Sequence, residues 1–186
     1  MALHFDINVI EVGRDAYGSE ELLKVDNMIE RGKQIFSRAG LPIGTVGRFN
    51  IPLAQAGALV VPRGEGDCLT LSNRWGVPND ALDVFVVPQM VDPRGAVGIS
   101  PEPGRCRKRQ TKWLPRTPFV SLQEDALHVS GTFAHEIGHF LGLPHCPKVP
   151  SLCGPENLMN LKSSSTDFKF TRKQVELMTE HCMVKG

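Results

Sequence analysis

Residues 135 to 145 read HEIGHFLGLPH, three histidines, one glutamate and two glycines within a single short segment. Positions i and i+4 of a helix share a face, so His135 and His139 can aim their imidazoles at one point. Gly142 can take the left-handed conformation that ends a helix and Pro144 resists its continuation, so the chain can turn and bring His145 back to that point. Three histidines leave the fourth tetrahedral position of a zinc ion open, the arrangement of catalytic zinc; structural sites close all four positions and favour cysteine. Zinc lowers the pKa of a water in that position to about 7, and Glu136 is placed to take its proton as general base. A bare H-x-x-x-H is common on ordinary helices. Here five residue identities at fixed offsets agree with one geometry and use three of the chain's six histidines.

The rest of the chain must build and hold this segment. Its 186 residues, 41% hydrophobic and 22% charged, suit one globular domain with a real core. A formal charge of +1 supplies no field toward nucleic acid or an anionic membrane, so neither is expected as a partner. No apolar run approaches the roughly 18 residues of a spanning helix. "MALHFDINVI" lacks the basic start and unbroken apolar core of a signal peptide, so the chain as it stands is expected to be soluble. An export signal or pro-segment ahead of it is compatible with that start.

Alternation in "LHFDINVIEV" (3 to 12) predicts a first strand, and "SEELLKVDNMIERGKQIFSRAG" (19 to 40) then shifts to helical spacing, with Ser19 as N-cap and Gly40 as stop. "TVGRFNIPLA", "ALVVP", "ALDVFVVPQM" (81 to 90), "AVGISP" (96 to 101) and "TPFVSL" (117 to 122) read as further strands, with many of the fourteen prolines in the spacers. A helix starting near Asp125 carries the histidine motif, and "TRKQVELMTEHCM" (171 to 183) predicts a last amphipathic helix capped by Thr171. The order is that of an α/β or α+β layer arrangement: a mixed sheet, a long helix, the motif-bearing helix, then an irregular segment ending in a helix.

H-E-x-x-H-x-x-G-x-x-H resembles the long zinc signature of the metzincin metallopeptidases, whose site ends in a methionine turn. "ENLMN" (156 to 160) looks like that turn. The resemblance implies a twisted metzincin-like sheet, a single catalytic domain over 1 to 186 divided into an upper part (1 to 145) and a lower part (146 to 186), and Met159 as an apolar floor beneath the imidazoles. "LDVFVVPQM", "AVGISP" and "PFVSL" look most like the pappalysin group of that clan. Leu161 stands where astacins and serralysins carry a tyrosine, so no tyrosine switch is implied. "RWGVPND" (74 to 80) resembles the zinc-blocking segment of matrix metalloproteinases but has Trp75 in place of the cysteine, and reads as a turn.

By the same resemblance the reaction is hydrolysis of peptide bonds, with the substrate, a protein or peptide, lying antiparallel to an edge strand near "AVGISP" and contacting Gly98, Ile99 and Ser100. "NLKSSSTDF" (160 to 168) would shape the pocket for the side chain after the scissile bond. "RCRKRQTK" (105 to 112), five cations in eight positions, reads as a solvated loop or as a patch for acidic substrates. Calcium is a second metal that the pappalysin likeness allows, though no acidic loop names its ligands.

Five cysteines, at 68, 106, 146, 153 and 182, leave at least one outside any internal disulfide. A bond between Cys182 and either Cys146 or Cys153 would pin the last helix beneath the site. Archaemetzincins instead use cysteines after the third histidine for a second, structural zinc; their paired C-x-x-C is missing here, although His181 and Cys182 could contribute. The disulfide is the preferred reading, and with it a secreted or extracellular monomer rather than a cytoplasmic protein. A zinc-binding module without cleavage, or an effector domain of narrow specificity, is the competing function. The presence of Glu136 favours the enzyme.

Overall fold

The computed structural model describes residues 2–106, 117–146, 153–160 and 167–186. Its elements run β1 (Phe5–Val12), α1 (Ser19–Arg38), β2 (Ile43–Ile51), α2 (Leu53–Ala56), α3 (Glu65–Trp75), β3 (Leu82–Val87), β4 (Gly98–Ile99), β5 (Phe119–Ser121), α4 (Ala126–Phe140) and α5 (Arg172–Thr179). The sheet has the order β2-β1-β3-β5-β4, with every neighbouring pair parallel except β4 on β5. This is the mixed α/β arrangement expected from the sequence.

Strand periodicity explains the layers. In β1, Phe5, Ile7 and Val9 face one core while Ile10 and Val12 face the other. In β3, Leu82, Val84 and Val86 join the first core, and Phe85 and Val87 the second. All six residues of β3 are buried, as a central parallel strand covered on both faces requires. The first core is closed by α1, through Val25, Met28, Ile29, Ile35 and Phe36, and by α4, through Val129, Phe133, Ala134 and Ile137. The second is closed by α3, through Cys68 and Leu71. Among the described residues no helix is long and apolar enough to cross a membrane.

Five expectations are corrected. "ALVVP" is not a strand: Gly57–Val60 form a 3-10 turn in a segment that runs between Pro52 and Pro62 and directly follows the short helix α2. Helix α3 was not expected, and it takes in Arg74 and Trp75, so the turn read at 74 to 80 starts only after them. The cap of α1 is Gly18, one residue before Ser19, and the last helix ends at Thr179 rather than at 183. Finally, Cys182 bonds Cys106, and Cys146 bonds Cys153, so the anticipated link from Cys182 to Cys146 or Cys153 is not formed. Beside that bridge the His181 ring meets Gly104 O at 3.1 Å.

Candidate active site

Helix α4 starts on Asp125, whose Oδ1 accepts from the backbone N–H groups of Leu127 (2.9 Å) and His128 (3.1 Å). It ends in a Schellman turn: Leu143 N–H donates to Gly138 O and Gly142 N–H to His139 O, both at 2.9 Å. Gly142 sits there at φ 100°, a conformation an L side chain resists, which is why glycine occupies the position. The turn reverses the chain and brings His145 over the helix.

The outcome is a close group of three ring nitrogens. His145 Nε2 is 3.2 Å from His135 Nε2 and 3.1 Å from His139 Nε2. Ligands about 2.0–2.1 Å from a tetrahedral zinc lie about 3.3 Å apart, so each of these two spacings is that of neighbouring corners of such a site, and all three ligand atoms lie within 4.8 Å of one another. The other ring nitrogens fix the tautomers. His135 Nδ1 lies 2.7 Å from Leu158 O and His139 Nδ1 lies 2.7 Å from Leu143 O. A carbonyl can only accept, so each Nδ1 carries the proton and each Nε2 turns its lone pair to the centre. Burial pushes His139 down to about 4 and also lowers His135, which keeps both rings neutral and able to bind a cation. Among the described residues this is the one group of three or more histidine, cysteine or acidic side chains placed to hold a metal.

Glu136, on the same helix, is 7% exposed. Burial pushes its carboxyl up to about 8, and a dication beside it acts in the opposite direction by favouring the carboxylate. It lies against the edge strand: a Cβ built on Gly98 would stand 2.6 Å from Glu136 Oε1. Ile99 and Ser100 continue that edge, half-buried, with Ser100 Oγ bonded to Pro101 O at 3.2 Å. Met159 is fully buried, and its sulfur reaches 2.8 Å from where a Cβ on Gly138 would be, so it packs beneath the turn of helix between His135 and His139.

Of the remaining expectations, Leu161, most of the loop from 160 to 168 and the basic residues from 107 to 112 lie outside the described residues. Three residues near the site were not anticipated. Glu102, just past the edge strand, holds Oε2 3.4 Å from His139 Nδ1. Asn157 and Gln174 form a hydrogen-bonded pair behind the turn that carries Met159. Gln174 was readable as the fourth residue of a T-x-x-Q capping box, but its contact with Asn157 has no signature in the sequence.

The chain matches no known sequence family and no curated protein. Its fold is similar to two solved structures. One is an archaemetzincin from Methanopyrus kandleri, with a TM-score of 0.60 and 19% identity over 95% of this chain and 94% of the other. The second is metalloproteinase-II from Bacteroides fragilis, with a TM-score of 0.63 and 11% identity over 96% of this chain. This chain spans about half, 53%, of that second protein. The chain therefore shares its fold with an archaemetzincin and a metalloproteinase.

Proposed function

We propose that the chain is a zinc-dependent endopeptidase of the metzincin type. The observation that carries this reading is the set of three Nε2 atoms, each within 3.2 Å of the next along the group, turned inward beside a buried glutamate at the sheet edge. His135, His139 and His145 would hold the ion, and the three neutral nitrogens with an open fourth position fit a catalytic rather than a structural zinc. When bound, zinc supplies a Lewis acid that acidifies water and polarises a carbonyl.

This chain's residues do the rest. Glu136 accepts a proton from the attacking water at its carboxylate and returns it to the leaving amide nitrogen. Its burial keeps bulk water from competing for that proton. The free edge of β4 pairs with an extended peptide, and the absence of a side chain on Gly98 lets the peptide backbone approach Glu136, with Ile99 and Ser100 continuing the ladder. Met159 supports the helix from below. The segments "LDVFVVPQM", "AVGISP" and "PFVSL" support kinship with pappalysins, and two disulfides support a secreted protein in an oxidising compartment.

The test compares the wild type with Glu136→Gln on a mixture of peptides and denatured proteins, reading cleavage products by mass spectrometry and zinc content by elemental analysis. Wild type binds one zinc and cuts; the variant keeps the zinc and cuts about 10²- to 10⁴-fold more slowly. Equal cutting by both removes Glu136 from the mechanism, and a zinc-loaded wild type that cuts nothing supports a binding module instead.

A further inference from the structure

Asn157 is 3% exposed, and its amide closes a reciprocal pair with Gln174 at the start of α5. Asn157 Nδ2 donates to Gln174 Oε1 at 2.8 Å, and Gln174 Nε2 donates to Asn157 Oδ1 at 3.1 Å. Each partner also holds backbone. Asn157 Oδ1 accepts from Met159 N–H at 2.9 Å, and Gln174 Oε1 accepts from Thr171 N–H at 2.8 Å. The turn is thus tied to a helix cap eleven residues or more further along the chain.

Two carbonyls of that same turn lead to the histidines. Leu158 O receives His135 Nδ1–H at 2.7 Å, and Met159 O receives the N–H of Cys146, the residue after His145, at 2.9 Å. The third ring, His139, is served by Leu143 O and so by α4's own end. A displacement of the turn therefore moves the acceptor that sets the His135 tautomer and the anchor of the segment bearing His145, and leaves His139 alone.

We propose that Asn157 and Gln174 are positioning residues for the metal centre, acting through Leu158 O on His135 and through Met159 O on His145; this rests on the zinc reading above. Neither side chain touches the metal position. Asn157 is buried, so its amide without Gln174 would be left short of partners; the pair is a costly device for plain packing where an apolar residue would fill the space. What it provides is a fixed orientation for the two carbonyls.

Gln174→Glu tests this while keeping the fold. Glutamate at the third helical position preserves the capping box and still accepts from Asn157 Nδ2, but it sets an acceptor against Asn157 Oδ1. Asn157→Asp breaks the other bond of the pair and serves as the second variant. Thr171→Ala is the control: it removes the bond from Gln174 N–H to Thr171 Oγ1, and so weakens the same helix end, without altering the amide pair. The full chain is titrated with zinc alone against a chromophoric chelator, and the imidazole tautomers are followed by ¹⁵N NMR.

Outer contacts of metal-binding histidines are worth about 10- to 100-fold in affinity. These residues act one contact further out, so we expect the zinc Kd to rise about 3- to 10-fold in Gln174→Glu and Asn157→Asp and by less than about 2-fold in Thr171→Ala. The Nδ1–H signal of His135 should shift in the first two while that of His139 stays. An unchanged Kd in both amide variants overturns the proposal, and so does an equal loss in Thr171→Ala, which would make the effect one of stability. A wild type that binds no zinc removes the zinc reading itself and this proposal with it.

Discussion

Gly98→Ala is the substitution whose consequence follows most directly from the coordinates. Gly98 is not among the glycines with positive φ, so alanine is no strain on the backbone. The obstacle is space. The new Cβ would stand 2.5 Å from Thr132 Cγ2, 2.6 Å from Glu136 Oε1 and 2.8 Å from Glu136 Cγ. Carbon contacts settle at about 3.5–4.0 Å, so β4 or Glu136 must move by about 1 Å. Overpacking of that kind costs about 1–3 kcal/mol. For a chain of this size each kcal/mol is about 2–4 °C, which puts the loss in Tm at about 2–12 °C. The kinetic effect is larger, since about 1 Å of misplacement between base and substrate costs about 100-fold in kcat/KM.

The two effects separate in a second variant. Thr132→Ala added to Gly98→Ala removes the nearest contact and should restore most of the Tm, but the Glu136 contact remains and the rate should stay low. The assays are thermal unfolding, zinc content and kcat/KM on one defined peptide. Wild-type turnover in Gly98→Ala, or a double variant that regains activity together with stability, would refute the placement of Glu136 against the edge strand.

Three further outcomes are expected. Cys182→Ser opens a disulfide that spans 76 residues; loop-closure entropy puts the loss at about 4–5 kcal/mol, read as a fall in Tm of about 10–20 °C, and an unchanged Tm would show that the bond does not constrain the chain. Asp6 is partly buried, which acts to raise its pKa, but bonds from Thr45 N–H and Lys185 outweigh this and hold it below the usual carboxylate range. Its folded pKa is depressed, so its contribution is complete above the unfolded value of about 3.9 and is lost as pH falls through the folded one; Asp6→Asn should flatten the acid limb of a urea-stability profile, and a parallel limb would count against it. Cys68 is the free cysteine, buried and pushed up to about 12 by that burial and by the acids Asp67, Glu65 and Asp92, so iodoacetamide at about pH 8 should label it only in denaturant.

How much of this was legible in the sequence depends on the range of each interaction. The ring of three histidines was, because its geometry is set within eleven residues by helical period and one glycine turn. The long β3 run was, because a strand buried on both faces is apolar throughout. Helix α3 was not, because its buried stripe consists only of Cys68, Leu71 and Ser72, too narrow and too polar to give a clear period. "ALVVP" misled because β-branched residues carry strand propensity whether or not the backbone pairs with a neighbouring strand. The partner of Cys182 lay 76 residues away, a distance over which spacing says nothing.

The unread contacts share a location. Gly98 against Glu136, Glu102 beside His139, and Asn157 with Gln174 all join segments distant in sequence, and all sit where helix α4 meets the edge strand or the lower chain. That boundary has little sheet to rely on: β4 is two residues long, and among the described residues after Leu143 the buried apolar side chains are Leu158, Met159, Phe168, Met178 and Met183. A segment with so small a core cannot hold a metal site in register by packing alone. The two disulfides fall on this part of the chain, one joining Cys146, the residue after His145, to Cys153 ahead of the Met159 turn, the other joining Cys106, beyond the edge strand, to Cys182 near the C-terminus. Covalent links and the Asn157–Gln174 amide pair do there what the layered core does for the upper sheet, which is why substitutions that break the amide pair and leave both disulfides intact should disturb metal binding before they disturb folding.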